Sequence, residues 1–80
     1  MTYSEAISKR IYNLIRDKEI TINRLATLSK LKQSTVDNIV KCNTKNPGIK
    51  SLHRIAQGLQ ITISELLDFP DMNNEEFEDD

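Results

Sequence analysis

Eighty residues and 9.2 kDa leave room for one small domain and exclude a second. Hydrophobic residues make up 38% of the chain and charged residues 29%, a soluble globular balance; an aromatic share of 5% forces the core to be aliphatic. A single Cys excludes an internal disulfide, and the formal net charge of -1, taken as an average, argues against a polyanionic partner.

That average hides a division. Residues 71–80 carry six of the twelve acids and no base, which leaves +5 on residues 1–70. Within residues 24–54, Arg24, Lys30, Lys32, Lys41, Lys45, Lys50 and Arg54 stand against Asp37 alone, a local +6. The composition therefore predicts a basic domain over residues 1–70 and an acidic, disordered tail over 71–80. Such a tail either aids solubility or competes with phosphate for the basic surface. The first residues lack a basic leader, and no apolar run nears the ~18 residues of a membrane span, so a cytoplasmic location is expected.

Thr2-Tyr3-Ser4-Glu5 has the spacing of a capping box, in which a hydroxyl and a carboxylate satisfy each other's backbone amides. Ile7, Ile11, Leu14 and Ile15 then lay one aliphatic stripe along a helix ending near Lys18, with Lys9, Arg10, Asn13 and Arg16 opposite. Thr21 is the expected N-cap of a short second helix that ends near Ser29 and turns Leu25 and Ala26 inward. After Lys30-Leu31-Lys32, Val36, Ile39 and Val40 mark a third helix, with Leu31 plugging the angle between the two. On its other side Gln33, Ser34, Asp37, Asn38 and Lys41 form one continuous polar face.

Residues 42–48 read as an ordered loop punctuated by Asn46-Pro47-Gly48. A fourth helix over about residues 49–59 directs Ile49, Leu52, Ile55, Ala56 and Leu59 inward. Thr62-Ile63-Ser64-Glu65 repeats the capping-box spacing for a last helix, which closes the core with Ile63, Leu66 and Leu67 and stops at Phe69-Pro70. Ile22, Leu28, Phe69 and Phe77 are left as exposed apolar residues. No segment alternates with period two, so the expected class is all-α, with five short helices.

Catalysis is not indicated by this inventory. The only His is His53 and the only thiol Cys42, without a glycine-rich phosphate loop, zinc spacing or paired carboxylates. Neither a metal nor a cofactor is expected. A helix, a tight turn and a polar second helix suit a different task, because the major groove of B-DNA admits one helix whose side chains reach base edges. Gln33 and Asn38 offer paired donor and acceptor to adenine, and Ser34 is short enough for a base edge or a phosphate.

Ile20-Thr21-Ile22-Asn23-Arg24-Leu25-Ala26, Ser29-Lys30-Leu31-Lys32-Gln33-Ser34-Thr35-Val36-Asp37-Asn38-Ile39, Asn46-Pro47 and Leu52-His53-Arg54-Ile55-Ala56 follow each other at a characteristic spacing. In this pattern, over about residues 5–68, the chain resembles the Cro and phage-repressor type helix-turn-helix family, often called the XRE family. The resemblance implies a compact five-helix, lambda-repressor-like DNA-binding domain with its helix-turn-helix at helices 2 and 3, commonly a dimeric repressor on palindromic operators. By position it implies base reading by Gln33, Ser34 and Asn38, with contributions from Lys32 and Asp37. Phosphate binding falls to Thr21, Lys41, Asn43, Thr44 and Lys45.

Three positions depart from the family pattern. Ile22 replaces a phosphate-holding Gln at the start of the second helix, Lys30 fills a turn position that often uses Gly, and Lys32 replaces the usual Ser cap of the third helix. The expected function is thus a sequence-specific DNA-binding regulator, a repressor and homodimer without a small-molecule effector domain. The alternative is a protein-interaction module, such as an anti-repressor or antitoxin subunit, that kept the fold and lost most DNA binding; Ile22 and the acidic tail favour it.

Overall fold

Threonines start three helices in the computed structural model, which describes residues 1–79. The helices are α1 (Tyr3–Lys18), α2 (Ile22–Ser29), α3 (Gln33–Val40), α4 (Ile49–Gly58), α5 (Ile63–Leu67) and α6 (Pro70–Asn74). Thr2 Oγ1 accepts the Glu5 amide at 3.2 Å while the Glu5 carboxylate accepts the Thr2 amide at 3.0 Å. Thr62 and Glu65 close the same box at 3.0 and 2.9 Å. Thr21 caps α2 by accepting the Arg24 amide at 3.0 Å.

The boxes hold Glu5 and Glu65 below their ordinary value of 4.5, through the cap threonine's backbone amide first and its hydroxyl second. A carboxylate whose pKa is lower folded than unfolded stabilises the fold fully above the unfolded value near 4.5. That contribution is lost as pH falls through the folded value. Thermal unfolding from about pH 6 down to about pH 3 should therefore show a falling Tm, and the fall should be smaller in a Glu5→Gln/Glu65→Gln variant.

The other ends of the helices share a second device. Glu19, Lys30, Cys42 and Gln60 sit at φ 57°, 55°, 62° and 59°, so four helices end in a left-handed residue and none uses glycine there. Each is followed by an amide that reaches back to the last turn: Ile20 to Ile15, Leu31 to Ala26, Asn43 to Asn38 and Ile61 to Ala56, at 2.8–3.1 Å. These are Schellman closures, which satisfy carbonyls that the helix leaves orphaned. In three of them the returning residue is aliphatic (Ile20, Leu31, Ile61) and packs against the core. At the end of α3 it is Asn43.

The core joins Ala6, Ile7, Ile11 and Ile15 of α1 to Leu25, Ala26, Val36, Ile39, Val40, Leu52, Ile55, Ala56, Leu59, Leu66 and Phe69. α2 packs against α3 and α4, α1 against α3, and α4 against α5. Two polar residues of α1 rivet other helices to it. Ser8 Oγ donates to the Val40 carbonyl at 2.6 Å, and Arg10 donates to the Leu66 and Glu65 carbonyls at 3.1 and 2.7 Å. The Arg10 guanidinium also lies 5.3 Å from the centre of the Phe69 ring.

α2 and α4 meet at a glycine. A Cβ on Gly58 would stand 2.5 Å from Ser29 Oγ, 2.9 Å from the Ser29 amide nitrogen and 3.1 Å from the Leu28 carbonyl carbon. Two of these neighbours are backbone, so α2 must shift to admit even a methyl group. Gly58→Ala should destabilise the fold by about 1–3 kcal/mol in denaturant unfolding despite alanine's better helix propensity. Ser29→Ala, which deletes a buried hydroxyl without a hydrogen-bond partner, should cost far less.

Several expectations need correction. Among the described residues there are six helices, not five, because Pro70 opens α6 at its first position, where a missing amide costs nothing. Ile49 is 67% exposed at the first position of α4 rather than inward, and Phe69 is 7% exposed rather than on the surface. Ile22 and Phe77 are half-buried against the core, while Leu28 is exposed. Residues 71–79, expected as part of a disordered tail, here continue α6 and return to the start of α1; Asp80, the last of that tail, lies outside the described residues. Among the described residues no helix is long and apolar enough to cross a membrane.

Candidate nucleic-acid interface

Helix N-termini attract anions, because their free amides and the helix dipole both present positive charge. The six helices divide on this property. α1, α5 and α6 place Glu5, Glu65 and Asp71 in their first turns, whereas α2, α3 and α4 have no acid there. Arg24 and Lys50 instead stand, exposed, in the first turns of α2 and α4, and Lys32 directly precedes α3. Three neighbouring elements thus keep uncompensated positive ends, on the basic stretch of the sequence.

α3 buries Val36, Ile39 and Val40 and turns the opposite side to solvent. Lys32, Gln33, Ser34, Asn38 and Lys41 are exposed and Asp37 half-buried. Lys32 is the N-cap at φ -65°, ψ 144° and provides no side-chain hydrogen bond; its carbonyl accepts the Thr35 amide at 3.0 Å, while the Gln33 and Ser34 amides receive no side-chain cap from it. A lysine at this place opposes the dipole, a cost that a nearby phosphate would offset.

Two side-chain pairs organise the exposed face. Gln33 Nε2 donates to Asp37 Oδ1 at 3.0 Å, one turn along the helix. A carboxylate can only accept, so the Gln33 amide nitrogen is drawn toward Asp37 and its oxygen is left for another donor. At the far end Asn43 Nδ2 donates to Asn38 Oδ1 at 3.4 Å, which leaves the Asn38 amide protons free. The two amides are therefore graded, with a free acceptor on Gln33 near the start of α3 and free donors on Asn38 near its end. Adenine N6 and cytosine N4 suit the first; guanine O6 and N7 or thymine O4 suit the second.

The loop after α3 is held by backbone as well. The Asn43 and Thr44 amides both donate to the Asn38 carbonyl, at 2.8 and 3.2 Å, and Pro47 is buried beneath exposed Lys45 and Asn46. Thr21 is exposed, and because its oxygen accepts from Arg24 its hydroxyl proton remains available. The structure thus groups Gln33 with Asp37 and Asn38 with Asn43, places Ser34 and Lys41 exposed on the same helix and its cap, and sets Thr21 at the start of α2. Arg24 and Lys50 stand in first turns that hold no acid, a signal that the sequence pattern of the site residues does not include.

The three departures from the family pattern have structural counterparts. Ile22 packs against the core, an apolar contact in place of a phosphate anchor. Lys30 holds the turn at φ 55°, ψ 39°, a conformation that costs a side chain about 1–2 kcal/mol. Lys30→Gly should gain up to about 1 kcal/mol in unfolding, since the relieved strain exceeds the added chain entropy.

The model of the Cro/C1-type HTH DNA-binding domain matches residues 10–72. Comparison with curated proteins returns no match. Among solved structures, the chain is similar to the prophage Lp1 protein 11, known from a crystal structure: 35% identity, a TM-score of 0.81, and coverage of 92% of this chain and 97% of that one. With a graded polar helix following a tight turn, and the family model spanning most of the chain, this protein belongs to the Cro/C1-type helix-turn-helix DNA-binding family.

Proposed function

We propose that this protein is a sequence-specific transcriptional regulator, a repressor that occupies operator DNA in the cytoplasm as a homodimer, with α3 in the major groove. The observation that carries the reading is the exposed, graded face of α3 between helix ends that lack acids. Gln33, Ser34 and Asn38 read bases, Asp37 positions the Gln33 amide, and Lys32 reaches a base edge or phosphate beside them. Thr21, Lys41, Asn43, Thr44 and Lys45 hold phosphates, joined by Arg24 and Lys50. Phosphate contacts set affinity and register, and base contacts set sequence choice.

No step of this function needs catalysis, a metal or a cofactor. Occupancy alone would block transcription, with the amount of protein as the control. Two copies whose α3 helices lie ~34 Å apart would read successive major grooves on one face of the duplex. The half-buried Ile22, which gives up a phosphate anchor, favours the second reading, a protein-interaction module with weak DNA binding.

Selection of bound fragments from a genomic DNA pool across a salt series separates the two. A palindromic motif with half-sites about one helical turn apart, and an affinity that falls steeply with salt, is the expected result. An absence of enrichment even at low salt would transfer the assignment to the interaction module.

A further inference from the structure

The acidic end of the chain is docked on the domain, close to the loop that follows α3. The Phe77 ring stacks on Tyr3 with centroids 4.1 Å apart and planes at 16°. Asp79 Oδ1 accepts the Tyr3 amide at 3.1 Å, and Lys9 Nζ meets Asp71 at 3.4 Å at the base of the segment. Glu78 joins Met1 twice, its amide donating to the Met1 carbonyl at 3.3 Å and its carboxylate accepting from the N-terminal ammonium at 2.9 Å, which leaves Asp79 as the carboxylate nearest the loop. Asp79 also lines a surface recess together with Tyr3, Lys45 and Asn46. Among the described residues, no hydrogen bond from residues 75–79 reaches α3.

We propose that residues 75–79 form an intramolecular strap that competes with DNA phosphate for Lys45, lowering affinity for DNA of any sequence while leaving base choice to α3. The proposal rests on the DNA-binding reading given above. Its physics is direct. A carboxylate within one Debye length, about 8 Å at physiological ionic strength, is poorly screened from a lysine. A lysine already partly neutralised displaces fewer counterions from a phosphate, and the strap's own charge repels the duplex backbone. Reciprocity follows: DNA on the loop must loosen the strap by the factor that the strap weakens DNA. The stack on Tyr3 provides the anchor that a freely moving acidic tail lacks.

The test uses the full chain and the near-isosteric variant Glu78→Gln/Asp79→Asn, each with and without Lys45→Ala, titrated with a random-sequence duplex and with the selected operator over a salt series. This variant, with two of the strap's four acids removed, should bind random duplex about 3- to 10-fold more tightly at low salt, with the slope of log K against log salt steeper by about one. The operator-to-random ratio should not change. In the Lys45→Ala background the gain should fall below about 2-fold.

A gain that persists undiminished without Lys45 would overturn docked competition in favour of a diffuse repulsion. Equal binding by the parent and the Glu78→Gln/Asp79→Asn variant, with DNA clearly bound, would overturn the strap alone. If no form binds either duplex at low salt while circular dichroism shows all of them folded, the DNA-binding reading itself fails and takes the strap with it.

Discussion

Gln33→Ala and Asn38→Ala should each cost about 1–3 kcal/mol of operator binding per half-site, and both should relax the choice of base at one position of the recovered motif. The two losses should differ in kind. Asp37 engages the Gln33 nitrogen and leaves its oxygen free, so Gln33→Ala should weaken preference for a base that presents an amino group. Asn38 keeps free amide protons, so Asn38→Ala should weaken preference for a base that presents acceptors.

Asp37→Asn is the informative companion. An amide at residue 37 can donate as well as accept, which removes the reason for Gln33 to hold one orientation. Base preference at the Gln33 position should then broaden while overall affinity falls little. Lys45→Ala should instead weaken all sequences alike and lower the salt slope by about one. Selection from randomised half-sites, run in parallel on the four variants, reads each of these outcomes. An unchanged motif in both Gln33→Ala and Asn38→Ala would remove α3 from base reading.

Leu25→Ala should lower unfolding stability by about 2–5 kcal/mol. Leu25 is 0% exposed on α2, the helix that packs against both α3 and α4, so truncation opens a cavity where these elements meet. A domain of this length has roughly 4–12 kcal/mol in total, and each 1 kcal/mol moves Tm by about 4–8 °C. The variant should melt at least about 8 °C lower. Leu25→Met, which nearly conserves volume, should cost under about 1.5 kcal/mol. Operator affinity measured in the cold, where Leu25→Ala is still folded, should be close to that of the parent. A selective loss there would mean that Leu25 also sets the angle of α3.

Much of this was legible because the local signals are short and chemical. Thr2, Thr21 and Thr62 announced three helix starts, two of them with a glutamate three residues on, and the structure places all three as caps. Val36, Ile39 and Val40 fixed which side of α3 is buried, and with it the exposed set around Gln33 and Asn38. Helix ends were harder to read, because Glu19, Lys30, Cys42 and Gln60 close theirs by backbone geometry that a non-glycine residue does not advertise.

Phe69-Pro70 reads as a stop, but Pro is also a good first residue of the next helix, so α6 carries no separate signal in the sequence. Nor does the folded-back end. Charge repulsion argued for a solvated tail, but an aromatic stack with a partner 74 residues away has no periodic signature. Arg10 was assigned to the polar side of its helix by spacing alone, while its long side chain reaches the carbonyls that end α5.

The most direct measurement is the NMR spectrum of the full chain, backbone and side-chain amides together, as the selected operator duplex is added. The largest shifts should fall on Gln33, Ser34 and the Asn38 side-chain amide, with a second group at Thr21, Asn43, Thr44 and Lys45. Shifts confined to α1, α5 and α6, with α3 unmoved at saturating duplex, would contradict major-groove reading by α3.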